Sequence, residues 1–160
     1  MKRCNLCWSL LILALAVIGL GVYQFVVRGS TAPAADGRIA IRLPPAERAI
    51  VLREMRQFLQ GVQLITVALN KDDMNAVARA AHGLGGAAVA GVPPALMGKL
   101  PLGFKVLGRS VHGDFDQLAL DARQMNDPRH AQAQLGAILA KCVACHEAYQ
   151  LSTLPEPGGS

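Results

Sequence analysis

The sequence predicts an all-α protein, an antiparallel four-helix bundle preceded by an N-terminal transmembrane helix, and three observations carry that reading. Beyond position 44, apolar residues recur at spacings of three and four, the repeat that gathers side chains on one face of a helix. Runs of Val, Ile, Thr and Tyr alternating with polar residues are missing, and aromatics make up only 4% of the chain, which disfavours an extended sheet. A single uncharged apolar run near the N-terminus matches the thickness of a bilayer core. With 160 residues the chain has room for one domain and an accessory segment.

Residues 1–28 read as a membrane anchor or uncleaved signal. Lys2 and Arg3 precede the 20 uncharged residues from Trp8 to Val27, and at about 1.5 Å per residue these cross a hydrocarbon core about 30 Å thick. Trp8 and Tyr23 stand near the two ends, as interfacial aromatics do, and the leading basic pair favours a cytoplasmic N-terminus. The rest of the chain then lies at the periplasmic face of a bacterial cytoplasmic membrane. The rival is a cleaved signal peptide and a soluble periplasmic protein. Ala32-Pro33-Ala34 has the small-x-small form, but proline makes a poor cleavage site and the apolar run exceeds the usual 7 to 15 residues or so. Cys4 and Cys7 fall on the reducing side and are read as an incidental pair.

Residues 29–43, rich in small residues, with Pro33 and Gly37, read as a flexible linker that lets the domain stand off the membrane. Residues 44–152 form the expected helical domain. Pro44-Pro45 opens its first helix, where proline costs no hydrogen bond, and the stripe Val51, Met55, Phe58, Val62, Ile65, Leu69 carries it to about Leu69. Asn70 is the expected cap of the second helix, with Asp72 and Asp73 at the positive end of its dipole. That helix runs through Met74, Val77, Ala81 and Ala88 to about Gly91. Its surface from Ala80 to Gly91 is nearly all Ala and Gly, which fits either close helix packing or the approach of something bulky.

A Pro-Ala-Leu-Met turn precedes the third helix, which starts at Pro101 and is striped by Phe104, Leu107, Val111, Phe115, Leu118, Ala122 and Met125. Asp127-Pro128 supplies an N-cap and a first-turn proline for the fourth, whose stripe is Leu135, Ile138, Cys142, Cys145 and Tyr149. Residues 153–160, with Pro155-Glu156-Pro157-Gly158-Gly159, form a tail that ends the fold. Short connections between amphipathic helices favour a bundle.

The chemistry concentrates in Cys142-Val143-Ala144-Cys145-His146. A haem offers two vinyl groups that thiols trap as thioethers and an iron that needs an axial base; the Cys-x-x-Cys-His spacing supplies all three. On a helix these positions share a face, the one the apolar stripe buries. The sequence thus predicts one covalent haem c, bound by Cys142 and Cys145 with His146 on the iron. Structural zinc asks for four Cys or His ligands, and His82, His112 and His130 stand apart from one another. A thioredoxin-like exchanger carries its pair at a helix start after a strand, whereas this pair lies near the end of the last helix.

With these helices, and the motif close to the C-terminal end of the last one, the chain from Pro45 to about Leu151 resembles the cytochrome c prime family and its low-spin relatives. The resemblance implies that His146 is the proximal ligand and that the first helix faces the opposite side of the iron. There the family carries a leucine, another apolar group or, in the low-spin relatives, a methionine; Met55 stands at the corresponding place. A methionine on an apolar stripe ordinarily fills the core, so Met55 has two readings, distal ligand and filler. Arg53 and Arg56 flank it, either as partners of the haem propionates or as solvated charges beside Glu47 and Glu54. His112 is the other candidate for the distal position, but it lies one position off its stripe and reads rather as a solvent-side or hydrogen-bonding residue, as do His82 and His130. The chain departs from the family at Gln150, where an Arg or Lys is common, and in its tether, since most members are soluble.

The expected function is electron transfer at the outer side of the membrane, with redox partner proteins in the periplasm or membrane. The alternative is a five-coordinate haem that binds NO or CO, in gas binding or stress protection. No nucleophile–base or carboxylate pair accompanies the motif, so the chain is not read as an enzyme. The net charge of +5 includes Lys2, Arg3 and Arg28 with no acid before position 29, which leaves 13 basic against 11 acidic side chains. That balance marks no nucleic-acid surface. The family resemblance also implies a homodimer.

Overall fold

The computed structural model describes residues 2–154, with side chains from Trp8 onward. The side chains of Cys4 and Cys7, and the tail beyond residue 154, lie outside the described residues.

Helix α1 (Lys2–Val22) continues into a π-helical turn, Tyr23–Arg28. The stretch Trp8–Arg28 has a mean hydropathy of 2.5 and none of it is buried. It is long and apolar enough to span a membrane or to serve as a signal sequence. Gly29 ends it with φ +64 and is itself buried; a Cβ there would run into the Lys99 carbonyl, so the tight exit needs glycine. Ser30 N–H donates to Lys99 O at 2.7 Å and Lys105 Nζ to Val26 O at 2.8 Å. The span therefore ends seated on the domain.

This corrects the expected linker. Residues 29–43 hold β1 (Thr31–Pro33) and β2 (Ile39–Leu43), an antiparallel hairpin, and β3 (Tyr149–Thr153) adds in parallel to β2, with Ile39 opposite Tyr149 and Leu43 opposite Thr153. Ile-Ala-Ile-Arg-Leu is β-prone, and Ile41 and Leu43 are fully buried. The short strands escape a composition argument that looks for several long ones.

The chain is mostly helical, with six α-helices among the described residues. α2 (Pro45–Leu69), α5 (Leu102–Met125) and α6 (Pro128–Ala148) fall where the periodicity puts them. Asp127 caps α6, accepting from Arg129 N at 2.9 Å and His130 N at 3.2 Å. The second expected helix is shorter. α3 (Met74–His82) is capped by Asp73, which accepts from Ala76 N at 2.9 Å, while Asn70 ends α2. Beyond His82 the glycines at 83, 85, 86 and 91 cost helix stability, and the chain forms a 3₁₀ turn, Gly86–Val89, before α4 (Pro94–Lys99), which stands where a turn was expected.

Two apolar cores result. The first gathers Ile65, Val77, Phe115, Leu118 and Ile138 from α2, α3, α5 and α6. The second gathers Ile41, Leu43, Val51, Leu96 and Leu100, with Met55, Phe104 and Tyr149 packed on its edge. Each fully buried side chain of this kind contributes about 1.5–3 kcal/mol. α3 packs closely on α5 and α2, and α5 on α6, whereas α2 and α6 touch only sparingly. Of the Ala-Gly stretch, Ala81 and Leu84 enter the first core and Gly86 to Ala88 are exposed.

Candidate functional site

The cap at Asp127 starts α6, and polar contacts then hold the helix against α5. Asp121 accepts from Gln117 at 2.7 Å and Gln134 at 2.6 Å, with His130 at 3.3 Å, and Lys141 pairs with Asp114 at 2.5 Å. At the far end of α6 stand Cys142 and Cys145, both half-buried, and the exposed His146. The backbone turns extended at Tyr149, whose ring meets Phe104 edge-on, with centroids 5.6 Å apart.

A solvent-open cleft of about 220 Å³ lies between this helix end and α2. Cys145, His146 and Tyr149 line one side, Val51, Leu52 and Met55 the other, and Phe104 also lines it. Met55 and His146, 91 positions apart, thus share one cleft. Cys142 lies one turn back on α6, outside the lining.

The arginines that line the cleft are Arg38 and Arg48. Arg53 and Arg56 are exposed and do not line it, and the acids near them in the sequence are engaged elsewhere, Glu47 with Lys99 at 2.5 Å and Glu54 with His112. Arg48 stands seven residues before Met55 and so shares its helix face, a signal open to reading in the sequence; Arg53 and Arg56 are rotated off that face. Arg48 Nε is buried with no hydrogen-bond partner. A buried donor of that kind marks a place for an acceptor from outside the chain. Arg38 carried no sequence signal. Its guanidinium donates to Asp36 at 2.8 Å, to the His146 carbonyl at 3.3 Å and to Gln150 Oε1 at 3.0 Å. The β2–β3 pairing therefore brings a positive charge to Gln150, the position where the resemblance leads one to expect a basic residue.

Burial pushes both thiols up, Cys142 against a smaller lowering by its own backbone hydrogen bond, Cys145 with a further rise from Cys142. Both are neutral thiols at pH 7, unlike the thiolates of disulfide-exchange centres. Among the described residues no three His, Cys, Asp or Glu side chains converge on a metal position.

His112 is buried, 5% exposed, on α5. Its Nδ1 lies 2.7 Å from the Leu84 carbonyl and its Nε2 2.9 Å from Glu54 Oε1, with the Phe58 ring at 4.9 Å. Of the two roles read for it, the hydrogen-bonding one holds. Burial is the strongest influence and opposes its charge, but the bonds to Glu54 and Leu84 and the Glu54 charge together raise its pKa above the usual value.

No family model, curated protein or solved structure matches the chain. The reading of the site rests on its own residues. As donors they suit a haem: the Cys145 thiol in the cleft with Cys142 one turn back on α6, an imidazole, a facing thioether and an unpaired arginine Nε. The volume is smaller than the roughly 300–1,000 Å³ usual for cofactor pockets, so a macrocycle requires α2 to draw away from α6. That contact is sparse beside those of α3 with α5 and α2 and of α5 with α6.

Proposed function

We propose that the chain is a c-type cytochrome of cytochrome c prime-like four-helix form, with one haem bound to Cys142 and Cys145, that carries electrons at the outer face of the cytoplasmic membrane. The observation that carries this is the shared cleft of Cys145, His146 and Met55. A haem bound there supplies a reversible one-electron change at iron. Cys142 and Cys145 would hold it in place, and His146 would offer its iron a nitrogen ligand. Val51, Leu52 and Phe104 keep water from one face, while Arg48 and Arg38 offer donors to its carboxylates. Met55, if bound to that iron, would raise the potential and favour electron transfer. The apolar span holds the domain among membrane partners.

A second reading has its own support. Met55 packs on the edge of the second core, as a filler does, and an uncommitted Met55 leaves the iron open to NO or CO.

The test uses the full chain from a host with haem-attachment machinery. The expected product has the mass of the polypeptide plus one haem and a low-spin ferrous spectrum indifferent to CO, and Met55→Ala makes it bind CO. The bare polypeptide mass overturns the haem. A CO-reactive wild type selects the gas-binding reading, and a low-spin spectrum unchanged by Met55→Ala removes Met55 from the iron.

A further inference from the structure

The domain sits directly on the end of the apolar span. Lys105 Nζ on α5 donates to Val26 O at 2.8 Å, and Ser30 N–H donates to Lys99 O, at the end of α4, at 2.7 Å. The last carbonyls of a helix have no partner within it, so Lys105 completes the span near its C-terminal end. In a membrane crossed by Trp8–Arg28, these contacts put α4 and the first turns of α5 at the height of the lipid head groups.

What these elements expose there is apolar and basic. Met97, Leu102 and Val106 are exposed, Val106 by 60%. Singly such residues are ordinary, but these three line one open cleft together with Val26 of the span. Its volume of about 790 Å³ lies within the roughly 300–1,000 Å³ of small-molecule sites. Leu102, Lys105, Val106 and Arg109 follow one another at i, i+3, i+4 and i+7, so one face of α5 carries both the apolar and the basic groups.

The acids of the lining do not neutralise those cations. Glu54 pairs with His112 at 2.9 Å, and Asp116 accepts from Gly86 N–H at 2.9 Å. None of the ion pairs among the described residues uses Arg28, Lys105 or Arg109. Apolar walls beside such cations, continuous with a membrane span, suit a lipid with an anionic head. A zwitterionic lipid gains less, because its ammonium meets the same cations.

We propose that the cleft formed by the span, α4 and α5 seats an anionic phospholipid of the surrounding membrane, its phosphate on Lys105 and Arg109 and an acyl chain on Met97, Leu102 and Val106. The inference rests on the membrane reading of the span and is independent of the haem. α2 contributes Ile50, Val51 and Glu54 to the lining and none of the groups that hold the lipid.

The experiment uses the full chain in lipid nanodiscs. Trp8, the only tryptophan, reports on the span. Val106→Trp and Met125→Trp, each made with Trp8→Phe, report on the cleft and on the far end of α5, about 28 Å along the helix. Phospholipid brominated near the head group quenches tryptophan on contact. Trp8 and the Val106→Trp variant are expected to be quenched, and the Met125→Trp variant not. In a second measurement, native mass spectrometry follows the detergent-solubilised chain as phosphatidylglycerol is added. Arg109→Gln is expected to weaken that binding about fivefold, the scale of one basic side chain at an anionic surface, while phosphatidylcholine binds both forms weakly and alike. A quenched Trp8 with an unquenched Val106→Trp variant overturns the lipid seat and leaves the span in its membrane. An unquenched Trp8, or a chain isolated without its first 28 residues, overturns the membrane reading itself. Equal phosphatidylglycerol affinity in wild type and Arg109→Gln, or no preference over phosphatidylcholine, overturns the anionic site. Particles that hold two chains and leave the Val106→Trp variant unquenched assign the face to a second copy and overturn the proposal too.

Discussion

The two cores of this protein are built differently and serve different ends. The first is closed at its centre. Phe115, Leu118, Ile138 and Val77 are shut away between helices that pack closely through α3, and only its edge at Phe58, Ala80 and Leu84 borders a cleft. The second is small and open-edged. Ile41, Leu43 and Leu96 are buried at its centre, but Met55, Phe104 and Tyr149 on its rim face a cleft. The contrast teaches that stability and function are divided along the helices, since groups that must meet a ligand cannot also be spent on close packing.

The largest expected effect breaks that division or upholds it. Phe115→Ala should cost about 3–5 kcal/mol, and Leu43→Ala about 2–5 kcal/mol, as large-to-small changes in buried sites do. What distinguishes them is the site. In denaturant titrations followed by circular dichroism, Phe115→Ala should lower the midpoint while, on the haem reading proposed above, the haem absorbance of the folded fraction stays that of wild type. Leu43→Ala should loosen β2 from β3, and with it the hold of Arg38 on His146 and Gln150, so the spectrum should change before the helices melt. Identical spectral behaviour of the two variants would show the cores to be one unit.

His112 bridges α5 to α2 beside Phe58, and its effect is smaller and depends on pH. Its folded pKa is raised, so the stability it adds is fully present below the unfolded value of about 6.5 and is lost as pH rises through the higher folded value. Stability of the wild type should fall across that window, and His112→Gln should flatten the profile. Melts from about pH 5 to about pH 9 test this; a variant with the same slope would assign the pH dependence to other groups. At the end of α6 opposite Cys142 and Cys145, Asp127→Ala should cost about 1 kcal/mol through the lost cap and, on the proposed haem reading, leave the haem spectrum unchanged. A spectral change would mean that the two ends of α6 are coupled.

The amino-acid sequence by itself determined the local features. Prolines 45 and 128, the Asp127 cap and stripes of period 3.6 placed α2, α5 and α6, because helix signals act within a few residues of one another. The same holds for Cys142, Cys145 and His146 on one helix and for the apolar span. The tertiary structure decided whatever depends on distant partners. Residues 39–43 became a strand because 149–153 lie beside them, and strand propensity takes its effect from such neighbours. That pairing brought Arg38 to the carbonyl of His146, and the meeting of α2 with α5 turned Glu54 from a surface charge into the partner of a buried histidine. Arg48 stood in between. Its helix face could be read from its spacing to Met55, but only packing shows that its Nε is buried and unpaired, because burial depends on what the rest of the chain lays over a side chain.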